Sequence, residues 1–177
     1  MELGFNGFVT PQWNVFGGYT YLDAEIVDGG FTAFVLPAGG GVAARTVLQP
    51  SVNTGKRFPQ TAKHSFTAWT NYDFGRFELG GGAFYMGRVF GGYADNRFVQ
   101  GTGAAAVVVP ATVVIARSVP AYWRFDARAA VDLTARLKLS VNVQNLTDKR
   151  YFAQAYQSHY AVLAPGRTVF GTLQVGF

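Results

Sequence analysis

Six charged residues recur at even positions through one stretch of the chain: Arg124, Asp126, Arg128, Asp132, Arg136 and Lys138. Alternate residues of a strand share a face, so this row would form one charged surface. Such a surface suits either an acidic ligand or ion pairs between neighbouring strands that line a polar lumen. The opposite signs set side by side favour the ion pairs. Catalysis finds less support. His64 stands beside Ser65 and His159 beside Ser158, but adjacent strand residues point to opposite faces, and no carboxylate is evident to orient either imidazole. The chain is therefore read as a non-enzyme. The two histidines are far apart and Cys is absent, so no metal-ligand set is expected. The run GTGAAA at 101–106 matches a dinucleotide-binding pattern, but Pro110 would interrupt the helix that must follow. No cofactor is expected from it.

The elements that position these residues are strands. The 177 residues include 22 Gly, 16 Phe and 9 Tyr, and only 14% are charged, a composition poor in helix formers and rich in strand formers. The net charge of +5 comes from cations scattered singly rather than grouped with stacking aromatics, which argues against nucleic acid as a partner. The N-terminal MELGFNGF lacks the charged and apolar regions of a signal peptide. The most apolar stretch, 104–116, is shorter than the roughly 18 residues of a spanning helix.

Period-2 alternation predicts about seven strands. WRFDARAAVDL puts Trp123, Phe125, Ala127, Ala129, Val131 and Leu133 on one face, and RLKLSVNVQNL does the same with Leu137, Leu139, Val141 and Val143. The segments from Leu3, Trp13, Phe66 and Phe77, and the C-terminal TVFGTLQVGF, read likewise. Paired strands must keep their apolar sets on one side of the sheet, which fixes loop parity. Phe74 and Phe77 share a face, and Gly75-Arg76 between them suits a type II′ hairpin. Val9 and Trp13 require an odd loop, for which Thr10-Pro11-Gln12 provides three residues, and an odd loop is likewise needed around Thr134 and Ala135. The alternate connections are long, roughly 27–61, 90–121 and 150–164. Short turns at one end and long loops at the other are the habit of bacterial outer-membrane barrels.

Polarity alone leaves two placements open. In a soluble barrel the apolar face turns inward; in a membrane barrel it meets lipid. Three features favour lipid. The face from Trp13 to Tyr21 is close to the roughly 9–11 residues of a tilted spanning strand. Aromatics gather at both ends: Trp13, Phe74, Phe77 and Phe177 beside the short turns, and Tyr21, Tyr85 and Trp123 toward the long loops. The last strand also runs toward the short-turn side. An odd strand number does not close an antiparallel barrel, so the seven are read as part of a larger sheet.

The run LAPGRTVFGTLQVGF, with Leu163, Pro165, Gly166, Arg167 and the terminal Phe177, resembles the C-terminal signature of TonB-dependent outer-membrane receptors. NVQNLTDKRYF, with Asn145, Leu146, Asp148, Lys149 and Tyr151, resembles the motif those receptors carry on their second-last strand. TPQWNVFGGYTYLDAEI, RFPQTAKHSFTAWTNYDF and VPAYWRFDARAAVDLT are similar to the siderophore-receptor branch. The resemblance implies an all-β, antiparallel transmembrane barrel segment within a 22-stranded barrel of the outer membrane. Residues 1–177 would be its C-terminal part, without the plug domain. It implies import of ferric siderophores, with iron carried only as that complex, driven by the TonB complex through the missing plug. Leu173, Val175 and Phe177 resemble the signal read by the barrel assembly machinery, and outer-membrane lipid becomes a further partner. The charged row would then line the lumen or contact the plug.

Asn145, Asp148 and Lys149 are expected to organise a strand end through local backbone bonds, and Arg167 to anchor the last loop. Ligand capture falls to the long loops, where Tyr93, Arg97, Tyr156, His159 and Tyr160 offer hydrogen bonds, stacking or cation–π contacts. Two other readings stand beside this one: a small self-contained outer-membrane barrel or porin, and a soluble β-barrel binding module.

Overall fold

The computed structural model describes residues 1–156 and 160–177. The chain opens on a hairpin of β1 (Glu2–Thr10) and β2 (Trp13–Tyr21). A long connection carrying β3 (Phe31–Leu36) and β4 (Arg45–Pro50) leads to β5 (His64–Asp73) and β6 (Phe77–Met86). The second connection holds β7 (Val89–Asp95), β8 (Phe98–Gln100), a 3-10 turn at Gly103–Ala105, β9 (Val107–Val109) and β10 (Val114–Val119). Then follow β11 (Tyr122–Thr134) and β12 (Leu137–Gln144), the third connection with β13 (Phe152–Ala155) and β14 (Ala161–Leu163), and finally β15 (Thr168–Val175). The order β1-β2-β5-β6-β11-β12-β15 makes one antiparallel sheet of seven strands, and four small hairpins fill the long connections.

Register carries the apolar set across the whole sheet. One row reads Leu3↔Tyr19↔Phe66↔Tyr85↔Trp123, and another Tyr72↔Leu79↔Ala129↔Val141↔Gly171. Phe5, Val15, Ala68, Ala83, Phe125, Leu139 and Leu173 fall on the same side. That side has no cover: Phe5, Phe77, Leu79, Val169 and Leu173 are each about half exposed, whereas the buried apolar residues Leu36, Ala106, Val119, Tyr151, Ala155 and Ala164 belong to the long connections and buried Ala130 lies on the opposite face of β11. In water each exposed Leu or Phe would forgo about 1.5–3 kcal/mol of burial. Lipid removes that loss, and hydrogen bonding within the sheet satisfies the backbone.

Aromatics bracket this face. Near the short turns Tyr72 and Phe74 pack with ring centroids 4.4 Å apart. At the other end Trp123 contacts Tyr85 at 4.9 Å and Phe66 at 6.0 Å, and Tyr19 and Tyr21 flank His64. The eight steps from Trp13 to Tyr21 span about 26 Å of strand, which at a tilt of roughly 40° covers about 20 Å of bilayer.

The turns refine the parity reading. Gly75 has φ +84° while Arg76 keeps a negative φ, as a II′ turn requires, and the Phe74 N–H donates to the Phe77 carbonyl at 2.7 Å. The two odd loops are resolved differently from the expected three-residue turns. Thr10 pairs with Trp13 and Thr134 with Leu137 across two-residue turns, and the extra residue is absorbed by a bulge at Val9 and at Leu133. A bulge restores the register while leaving the tightest closure intact. The last strand also stops short of the chain's end: β15 finishes at Val175, Gly176 still donates to the Arg136 carbonyl at 2.8 Å, and Phe177 projects fully exposed beyond it.

Candidate functional site

The charged row lies on the face opposite the apolar one, but its pairing differs from a ladder within the row. Arg124 bonds Asp126 on its own strand, Nη2 to Oδ2 at 2.9 Å, and its guanidinium lies 4.4 Å from the Phe84 ring centre. Arg128 reaches Glu78 of β6 at 3.4 Å, and Lys138 also pairs with Glu78 while standing 3.8 Å from Asp132. Glu78 is thus the hub between two cations, and its position between Phe77 and Leu79 on the polar parity of β6 was the signal that could have named it. Arg136 departs from the row: it occupies the two-residue turn between β11 and β12, its N–H donating to Thr134 Oγ1 at 3.2 Å. Trp69 shares the polar face and lies flat across Gly82, where an added Cβ would collide with the indole. Its Nε1–H donates to Asn71 Oδ1 at 2.8 Å.

Where β12 ends, the motif residues tie three segments into one knot. Asn145 takes φ +54° and Asp148 φ +52°, conformations that Asn and Asp tolerate better than most residues. Asn145 is 2% exposed. Its N–H donates to Asp126 Oδ1 at 2.9 Å, its Oδ1 accepts from the Lys149 N–H at 2.9 Å, and its Nδ2 donates to the Lys149 carbonyl at 3.0 Å. Asp148 Oδ1 accepts the backbone N–H of Arg167 at 2.8 Å, so the Arg167 main chain makes this anchor. Gly166 leaves room for that carboxylate, since a Cβ there would sit 2.9 Å from Asp148 Oδ1. Leu146 donates its N–H to the Phe125 carbonyl at 2.7 Å while its side chain stays exposed, and Asn145 Nδ2 also lies 3.4 Å from the Pro165 carbonyl. Tyr151, buried, stacks on Tyr122 with centroids 4.0 Å apart.

The long connections brace one another. Arg45 donates to the carbonyls of Gly103 and Ala106 at 3.2 and 3.4 Å, and Gln60 bonds the Ala155 carbonyl. Arg97 is engaged within these loops. It pairs with Asp95 at 2.6 Å, donates to the Pro50 carbonyl at 2.8 Å and lies over the Phe34 ring. The Arg97 hydrogen bond holds the Asp95 carboxyl below its ordinary range, against the opposing effect of burial. Tyr93 stacks on Phe90 and donates to the Arg57 carbonyl at 3.1 Å, and burial raises its phenol above the usual value. Nearer the sheet, a hydrogen bond from Lys63 lowers the Asp23 carboxyl and raises the Lys63 ammonium.

Tyr156 and Tyr160 do come together, stacked at 4.6 Å, with the Tyr156 hydroxyl donating to Gln154 Oε1 at 2.9 Å. They line an open cleft of about 440 Å³ with Ile115, Arg117, Val119 and Ala161. Arg117, a lone cation inside an apolar strand, escaped the sequence reading because nothing in its spacing links it to residues forty positions away. His159 lies outside the described residues.

A sheet whose apolar face is bounded by aromatics, whose opposite face is charged, and whose long connections gather at one end defines a segment of an outer-membrane β-barrel. Residues 1–146 match the family described as "TonB dependent receptor-like, beta-barrel", and the chain belongs to that family. It is 36% identical over 178 residues to the "Probable TonB-dependent receptor BfrD" of Bordetella pertussis, covering 100% of this chain and 20% of the relative. It is 33% identical to the "Probable TonB-dependent siderophore receptor PiuA" of Acinetobacter baumannii, covering 94% of this chain and 19% of that protein. The crystal structure of PiuA superposes with a TM-score of 0.73 at 32% identity over 98% of this chain and 21% of that one. The chain thus spans about a fifth of the length of these relatives. Both relatives are named as TonB-dependent receptors, and the family resides in the outer membrane.

Proposed function

We propose that these residues form the C-terminal part of the barrel of a receptor that imports ferric siderophores. The carrying observation is the uncovered apolar face joined to a charged opposite face and a braced set of loops, in a sheet where β1 and β15 each pair on one side only. Two open edges suit a larger barrel, of 22 strands in this family reading. Further strands would cover those edges, the Glu78 hub would line the lumen against a plug, and the TonB complex would act through that plug. Leu173, Val175 and the projecting Phe177 would be read by the assembly machinery as the barrel closes. PiuA, named as a siderophore receptor, supports the ligand class. Iron would travel only as the chelate, and no cofactor of the chain's own takes part.

The cleft of Arg117, Tyr156 and Tyr160 is the described loop site best suited to an anionic aromatic chelate, because it combines an exposed cation with stacked phenol rings. Uptake of radiolabelled iron by cells deleted for the gene and complemented with the full receptor tests the assignment. Restored uptake that falls with Arg117→Ala and Tyr160→Ala supports it. Uptake that does not depend on the gene, or ion conductance without siderophore binding, would replace it with a porin reading.

A further inference from the structure

Above Ala127, β11 loses its partner β12, and the 145–151 segment runs beside it instead, with Leu146 bonded to Phe125 and Tyr151 stacked on Tyr122. This exchange of strand for loop opens a notch of about 370 Å³ at the outer aromatic girdle. Tyr85, Trp123 and Phe125, all from the lipid-facing side of the sheet, form its apolar part, and Thr147 and Lys149 form its mouth. Lys149 is exposed, yet its main chain is held on both sides by buried Asn145. It enters none of the ion pairs found among the described residues. The neighbouring carboxylate, Asp148, is turned to the Arg167 N–H.

A second depression adjoins the first through Phe125. It is floored by Ala68, Gly81 and Ala83 and walled by Phe5, Val15 and Phe125, again on the lipid side. A cation at the membrane's outer rim above two apolar depressions that share Phe125 matches one kind of molecule in charge and polarity: a headgroup phosphate with an acyl chain below it. We propose that the notch is a binding site for a phosphate-bearing lipid of the outer leaflet. The Lys149 ammonium and Thr147 hydroxyl would meet the phosphate, and a chain would follow Trp123 and Phe125 into the lower depression. Anionic headgroups attract juxtamembrane cations, and snorkelling keeps a lysine at that level. The notch shares no lining residue with the loop cleft, so it is independent of the siderophore reading.

The test is the lipid retained by the full receptor extracted from outer membranes in mild detergent, quantified per protein chain by mass spectrometry. Wild type retains phosphorylated lipid. Lys149→Gln should retain about five-fold less, the loss expected for one rim cation, and Thr147→Val should show a smaller loss. Arg117→Gln, which removes the same charge in the loops, should leave retention unchanged. Heat-dependent gel migration confirms that each variant is folded; should Lys149→Gln fail it, Thr147→Val and an Ala83→Leu block of the lower depression carry the test. Equal retention in wild type and the folded notch variants would overturn the proposal, as would an equal loss in Arg117→Gln. Displacement of the lipid by millimolar inorganic phosphate alone would also overturn it, by showing a simple anion site.

Discussion

Asn145→Ala should be among the most costly single substitutions in the chain. The side chain is buried and satisfies both the N–H and the carbonyl of Lys149, at 2.9 and 3.0 Å. Its removal strands two backbone groups, each worth about 1–3 kcal/mol where water cannot reach them. Alanine must also adopt φ +54°, which costs roughly 1–2 kcal/mol for a residue with a Cβ. Lys149 is partly accessible, so the low end of the range applies to its groups, and about 3–4 kcal/mol in total is expected. Asn145→Gly separates the two causes, since glycine loses the bonds but accepts the dihedral, and should recover about 1 kcal/mol relative to alanine. Denaturant titration of the folded receptor in detergent, followed by loss of the fast-migrating gel band, gives both differences. A shift below about 1 kcal/mol for Asn145→Ala, or alanine and glycine variants of equal stability, would refute the view that this knot is held by the Asn145 side chain and its left-handed backbone.

Glu78→Gln should destabilise the sheet by about 1 kcal/mol and more at low salt, because it leaves Arg128 and Lys138 facing each other without their shared carboxylate. Val141→Arg, on the lipid side, should cost about 2–4 kcal/mol, while Thr172→Arg on the polar face should cost less than 1; the pair is read by the same titration. The Asp95 carboxyl is depressed by Arg97, so its contribution is complete above the ordinary carboxylate range and is lost as pH falls through the lowered value. Hydrogen-exchange protection at β4 and β7, taken relative to the intrinsic rate at each pH, should accordingly stay constant from pH 8 to about 5 and fall only below about 4, and Asp95→Asn should show the lower protection throughout.

Period-2 patterning made the seven sheet strands legible because lipid on one side and a polar surface on the other impose opposite demands on successive residues. Loop parity followed from the same alternation, although a bulge and a longer turn satisfy an odd count equally well, so Val9 and Leu133 were placed only by register. The hairpins of the long connections were not seen. Their strands, such as Arg45–Pro50 and Val89–Asp95, are short and braced by side chains reaching other loops, so their sequences follow no two-sided pattern. The charged row was visible, but its hub Glu78 sat on another strand. Arg97 was legible as a polar contact of the long loops, but its partners Asp95 and the Pro50 carbonyl are brought to it only by folding.

Which face of the sheet meets lipid decides its placement in the membrane, and alternate labelling of β11 measures it directly. The chain has no cysteine of its own, so single cysteines at Phe125, Ala127, Ala129 and Val131, and at Arg128, Ala130 and Asp132, can carry a fluorophore in the protein reconstituted into bilayers. The odd positions should be quenched by brominated acyl chains and the even positions by aqueous iodide. The reverse alternation would place the apolar face inward, and an absence of alternation would mean that the strand does not span the membrane.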